Sequence, residues 1–92
     1  WKFQLRQNFP NPFSRSTRIA FTIPTKGDVR LDVYDVCGRL VSRLVDGETV
    51  PGRYEYDWDG LDSRGRRVAN GVYFCRLSTG ENVSTREMVV LK

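Results

Sequence analysis

Few residues in this chain are equipped for chemistry, and their spacing restricts what they can do. There is no histidine, which removes Ser-His-Asp and Cys-His nucleophilic arrangements and histidine-based zinc sites together. The two cysteines, Cys37 at a turn and Cys75 in a strand-like run, cannot build a tetrahedral thiolate site alone and form no Cys-x-x-Cys motif. Either they pair as a disulfide or they are two unpaired thiols, with Cys75 a small apolar residue beside Tyr73 and Leu77. Asp57, Asp59 and Asp62 surround a turn. Their spacing fails the EF-hand pattern, because Leu61 falls at the third ligand position and no acidic residue follows at the bidentate one. Asp side chains capping turn amides at Gly60 and Gly65 are the expectation instead. Asp57 and Asp59 make a poor acid/base pair for glycoside hydrolysis, since they lie on an open strand face with no cleft. Arg18, Arg30 and Arg39 lack any glycine-rich, phosphate-cradling context. The expectation is a chain without catalysis, cofactor or metal.

Tyr54, Tyr56 and Trp58 form an aromatic stripe at strand spacing. An exposed stripe would suit sugar stacking, as in an accessory carbohydrate-binding module. The charged residues Arg53, Glu55, Asp57 and Asp59 occupy the opposite side, so the stripe is read as the inward face.

The elements that hold these residues are short apolar runs rich in Val, Ile, Tyr, Phe and Trp, bounded by Gly, Pro, Asn or Asp. Arg18–Ile23 alternates with Ile19, Phe21 and Ile23 on one side. Asp28–Val36 places Val29, Leu31 and Val33 inward and Arg30, Asp32 and Tyr34 outward. Cys37-Gly38 turns into Arg39–Val45, and Asp46-Gly47 and Pro51-Gly52 read as two further turns. Arg53–Asp59, Val72–Leu77 and about Asn82–Leu91 complete the strands, and Lys2–Arg6 is an expected edge strand. No window sustains a helical apolar period. The pattern predicts an all-β fold: an immunoglobulin-like antiparallel β-sandwich of six or seven strands, with a small closed barrel as the alternative.

Ninety-two residues allow one domain, 1–92, and 39% hydrophobic with 12% aromatic residues is enough to pack it. The chain opens at Trp1 rather than methionine, so a fragment of a longer polypeptide is expected. No apolar run approaches the roughly 20 residues of a membrane span. The net charge of +4 is dispersed, which fits a solvated surface or attraction to an anionic surface such as lipopolysaccharide. Without a basic stripe interleaved with stacking rings, nucleic-acid binding is not expected.

Several segments carry a resemblance when taken in order: Gln7-Asn8-Phe9-Pro10-Asn11-Pro12-Phe13, Thr17-Arg18-Ile19, Val29 through Arg39, Trp58-Asp59-Gly60-Leu61-Asp62, Asn70-Gly71-Val72-Tyr73-Phe74 and Met88-Val89-Val90-Leu91-Lys92. Together they resemble the type A C-terminal sorting domain of the type IX secretion system. They are also similar to the immunoglobulin-like domain of the flagellar hook-capping protein, to which the Trp-Asp-Gly-x-Asp segment is closer. The resemblance implies a non-enzymatic β-sandwich that takes a secreted cargo across the outer membrane to the cell surface. Its implied partners are the secretion machinery, a sortase-like peptidase and lipopolysaccharide. By position, Pro10, Asn11 and Pro12 match the early motif, Gly71 and Tyr73 the Gly-x-Tyr motif, and Met88, Val89, Val90, Leu91 and Lys92 the terminal apolar strand. Cys37 and Cys75 depart from the pattern. A final strand at a sheet edge would present its backbone for recognition by strand addition.

Overall fold

The computed structural model describes residues 1–92. Alternating sequence becomes alternating burial: seven strands and no helix, hence no helix able to cross a membrane. The strands are β1 (Gln4–Leu5), β2 (Thr17–Ile23), β3 (Gly27–Tyr34), β4 (Leu40–Thr49), β5 (Gly52–Trp58), β6 (Gly71–Ser78) and β7 (Val83–Val90). They form a three-stranded sheet in the order β1-β2-β5 and a four-stranded sheet in the order β4-β3-β6-β7. All neighbouring pairs are antiparallel.

The core lies between the sheets. Leu5, Ile19, Phe21 and Ile23 on one side face Val29, Leu31, Val33, Cys75, Leu77, Met88 and Val90 on the other, all nearly fully buried. Trp58 closes one end of this core. Its ring meets Phe13 edge-on at 5.5 Å and Tyr73 edge-on at 5.9 Å, while Nε1 donates to the Leu61 carbonyl at 3.0 Å. A large apolar ring is thus buried without leaving its polar atom unpaired.

Three local readings change in three dimensions. Asp46-Gly47 is no turn; it continues β4, with Asp46 opposite Arg30 and Gly47 opposite Val29. Cross-strand pairs hold it extended, Arg30 with Asp46 and Lys26 with Glu48, each at 3.6 Å. The chain leaves the sheet at Val50-Pro51 instead, and β4 carries two register shifts that twist this edge. Asp32 does point away from the core, yet it is buried. Arg43 grips its carboxylate with two bonds (3.0 and 3.3 Å), and the Tyr34 hydroxyl donates a third at 3.1 Å. Finally, the aromatic stripe divides along its length. Trp58 is buried, Tyr54 is half-buried and stacked on Phe21, and Tyr56 is exposed. No continuous aromatic platform faces solvent.

Gly71 opens β6 at φ 150°, where a side chain is disfavoured although open space surrounds it. We expect Gly71→Ala to lower unfolding free energy by about 1–2 kcal/mol through backbone strain alone. Chemical denaturation should show the lower midpoint with an unchanged slope.

Candidate functional site: the strap on the last strand

The two segments singled out at opposite ends of the sequence meet in one place. β7 is an edge strand, paired only with β6 in its sheet. Along its C-terminal half the outer edge is covered by residues 7–13. The Gln7 side-chain amide donates to the Glu87 carbonyl at 2.7 Å. The Val89 amide donates to Asn11 Oδ1 at 2.9 Å. Phe13 donates from its amide to the Val89 carbonyl (3.0 Å) and accepts from the Leu91 amide (2.9 Å), forming a short parallel bridge centred on Val90. Alternation along β7 turns the backbone groups of Val83 and Thr85 outward as well, and these have no protein partner.

The strap is itself anchored in the interior. Both the Phe9-Pro10 and Asn11-Pro12 peptide bonds are cis. The Pro10 carbonyl accepts from Thr17 Oγ1 at 2.8 Å, and buried Asn8 donates to that same hydroxyl oxygen at 2.9 Å. Phe13 is buried against Trp58. Arg86 adds a stitch from β7 to β1, donating from Nε to the Leu5 carbonyl at 2.9 Å.

The residues expected to form a recognition signal therefore divide into two groups. Met88 and Val90 are core residues, 0% and 1% exposed. Tyr73 is buried too, opposite Met88, with its hydroxyl donating to the Ala69 carbonyl at 2.8 Å. Burial first, and the charge of Asp35 second, push that phenol above its ordinary value. Pro10, Asn11, Pro12, Gly71, Leu91 and Lys92 are exposed, and Val89 is half-buried. Lys92 is tied back by its amide to Asn70 Oδ1 (3.1 Å) and by Nζ to the Val68 carbonyl (2.5 Å). Sequence reasoning left Asn8, Phe13, Thr17 and Asn70 out of the site, although all four hold it. Asn8 and Phe13 flank the Pro-Asn-Pro run, which was the available signal.

The acidic turn behaves as a cap. Asp59 Oδ1 accepts from the Leu61 amide at 3.1 Å, and Asp62 Oδ1 accepts from the Arg64 and Arg66 amides at 2.9 and 3.0 Å. The Arg66 amide bond is the main reason the Asp62 carboxyl lies below its usual range. The disulfide alternative is not realised: Cys37 and Cys75 are both free, Cys37 exposed in the β3–β4 turn and Cys75 buried in β6. Burial, with a smaller contribution from Asp32, pushes the Cys75 thiol from 9.0 up to about 12.

Replacing Asn11 with Ala removes the acceptor for the Val89 amide. That should cost about 1 kcal/mol and speed exchange of this amide roughly fivefold in hydrogen-exchange NMR. For the thiols, a disulfide-exchange reagent at mildly alkaline pH should label Cys37 alone in folded protein and reach Cys75 only on denaturation. The raised Cys75 value also fixes a sign. The unfolded thiol ionises first, so stability is intact below pH 9.0 and falls as pH rises from there toward about 12. Alkaline denaturation of wild type against Cys75→Ala measures that slope.

Comparison with known proteins places this architecture. The FlgD Ig-like domain family matches residues 11–82. Among solved structures, dimeric latent PorU from Porphyromonas gingivalis superposes with a TM-score of 0.68 at 25% identity, over 91% of this chain and 9% of PorU. PorZ, an essential bacterial surface component of the type-IX secretion system of the same organism, gives 0.68 at 21% identity, over 98% of this chain and 11% of PorZ. FlgD from P. aeruginosa gives 0.61 at 26% identity, over 80% of this chain and 57% of that protein. The chain thus spans only a small part of PorU and PorZ and somewhat over half of FlgD. No curated protein matches it. With most of its length matched and the same two-sheet architecture, the chain belongs to the FlgD Ig-like domain family.

Proposed function

We propose that this immunoglobulin-like module is a non-catalytic C-terminal sorting domain, which carries a cargo protein through type IX secretion to the cell surface. The observation that supports it best is the strap. Residues 10–13 and 88–92, the two segments that resemble sorting motifs, are joined by three backbone-mediated bonds into one fixed surface. A receptor reading that surface would meet Pro10, Asn11, Pro12, Val89, Leu91 and Lys92, with Gly71 at its margin. Met88, Val90 and Tyr73 would hold it from beneath. Likeness to PorU over nearly all of this chain but a small part of PorU adds support, because it is what a module appended to a larger protein looks like. The partners of this reading are the secretion machinery, a sortase-like peptidase and surface lipopolysaccharide.

A second reading, an assembly domain like that of the hook-capping protein, is favoured by the family match and by the likeness to FlgD. Export separates the two. Residues 1–92 fused behind a reporter with an ordinary export signal should deliver it to the surface of a type IX-competent host. Reporter retained in the periplasm would overturn the sorting reading. Deleting residues 88–92 is a poor control, because Met88 and Val90 are core residues whose loss unfolds the sandwich. Leu91→Asp, at a residue 59% exposed, should instead leave thermal stability near wild type and reduce surface delivery at least severalfold.

A further inference from the structure

One end of the sandwich carries a feature that the strap does not use. The β3–β4 turn (35–39) and the loop between β5 and β6 (59–70) enclose a groove of about 550 Å³. Four arginines line it, Arg39, Arg64, Arg66 and Arg67, beside two aspartates, Asp35 and Asp62. The carboxylates are already engaged. Asp35 Oδ1 accepts from the Cys37 and Arg39 amides at 2.9 and 3.0 Å, and Asp62 is held by its own two turn amides. Their task is to shape the turns, and only Arg39 is neutralised, by Asp35 at 3.2 Å.

Arg64, Arg66 and Arg67 enter no ion pair. Arg67 makes one long contact, 3.5 Å to the Ser14 carbonyl. On the strands, Arg18, Arg30, Arg43 and Arg53 each have an acidic partner, while Arg76 lies over the Tyr34 ring and Arg86 donates to the Leu5 carbonyl. Three arginines without ion pairs thus line one concave place, where fields add and forked donors converge. Lys92 lies at the rim, its Nζ on the Val68 carbonyl.

The groove also has an apolar side. Leu40, one of its lining residues, is 47% exposed, and Val41 beside it is half-buried. By contrast, it offers no open aromatic ring. Tyr73, the one aromatic in its lining, is 8% exposed. Bases and sugars need such a ring to stack on, whereas carboxylates match the arginine fork and aliphatic side chains match Leu40.

We propose that this groove docks an extended acidic segment of a partner protein, in which carboxylate side chains alternate with aliphatic ones. The carboxylates bridge to Arg64, Arg66 and Arg67, and the aliphatic groups cover Leu40 and Val41. The groove adjoins the strapped surface at Tyr73 and Lys92, but Arg64, Arg66, Leu40 and Val41 take no part in the strap, so variants there test the groove without touching the sorting reading.

A fluorescein-labelled Glu-Leu-Glu-Leu-Glu-Leu-Glu peptide tests it by anisotropy against residues 1–92. Saturable binding is expected, weakening as salt rises from about 0.02 to about 0.3 M. The double variant Arg64→Ala/Arg66→Ala should lose about tenfold or more in affinity with an unchanged melting temperature, since the turn amides that Asp62 holds remain. Lys26→Ala/Arg30→Ala, toward the other end of β3, should bind like wild type. The proposal is overturned by absent binding or by equal losses in both double variants. It is equally overturned if an all-Glu peptide or inorganic polyphosphate binds as tightly as the alternating peptide, which would mean bulk attraction of a polyanion.

Discussion

The structure depends on a short backbone exchange between Phe13 and the end of β7. The Phe13 amide and carbonyl satisfy Val89 and Leu91, and its ring is buried under Trp58. One residue thereby joins three things: the N-terminal segment, the last strand and the end of the core. Without it, a strand whose side chains at 88 and 90 fill the interior would have only the side chains of Gln7 and Asn11 over its outer edge. An open edge is a template for unwanted pairing, and a covered one is held in register.

This arrangement makes the two lateral sides of the sandwich unequal. On the β1–β7 side, Gln7, Asn11, Phe13 and Arg86 stitch the sheets together across their edges. On the β4–β5 side the sheets are joined by the crossover at Val50-Pro51 and by the bond from the Ser63 amide to the Val41 carbonyl at 2.9 Å. There β4 guards itself in another way, through its register shifts and cross-strand charges. A partner that reads a fixed shape has one at the strapped side, where the backbone is pinned from both flanks.

Polar groups follow the same economy throughout. Asp32, Asn8 and Thr17 are buried, and each is satisfied by named partners, so no buried side-chain donor or acceptor is left alone. Acidic residues in the turns at 35 and 62 are committed to amides of their own loops. Asp35 still pairs with Arg39 at 3.2 Å, whereas Arg64, Arg66 and Arg67 enter no ion pair.

The sequence by itself determined the strands and their inward faces, because alternation at Ile19-Phe21-Ile23 and Val29-Leu31-Val33 is a property of neighbouring residues on one pleated segment. It also marked both halves of the candidate site, Pro10–Pro12 and Met88–Lys92. Only the tertiary structure decided that these halves touch, that Asp46-Gly47 runs on as strand, and that Tyr56 is exposed while Trp58 is not. Each of those outcomes depends on what lies across the sheet or between sheets. Gly47 stays extended because Val29 pairs with it, Asp32 is buried because Arg43 covers it, and the C-terminal half of the last strand is covered because Phe13 arrives from the other end of the chain. Pairing between residues so far apart has no signature in either segment alone.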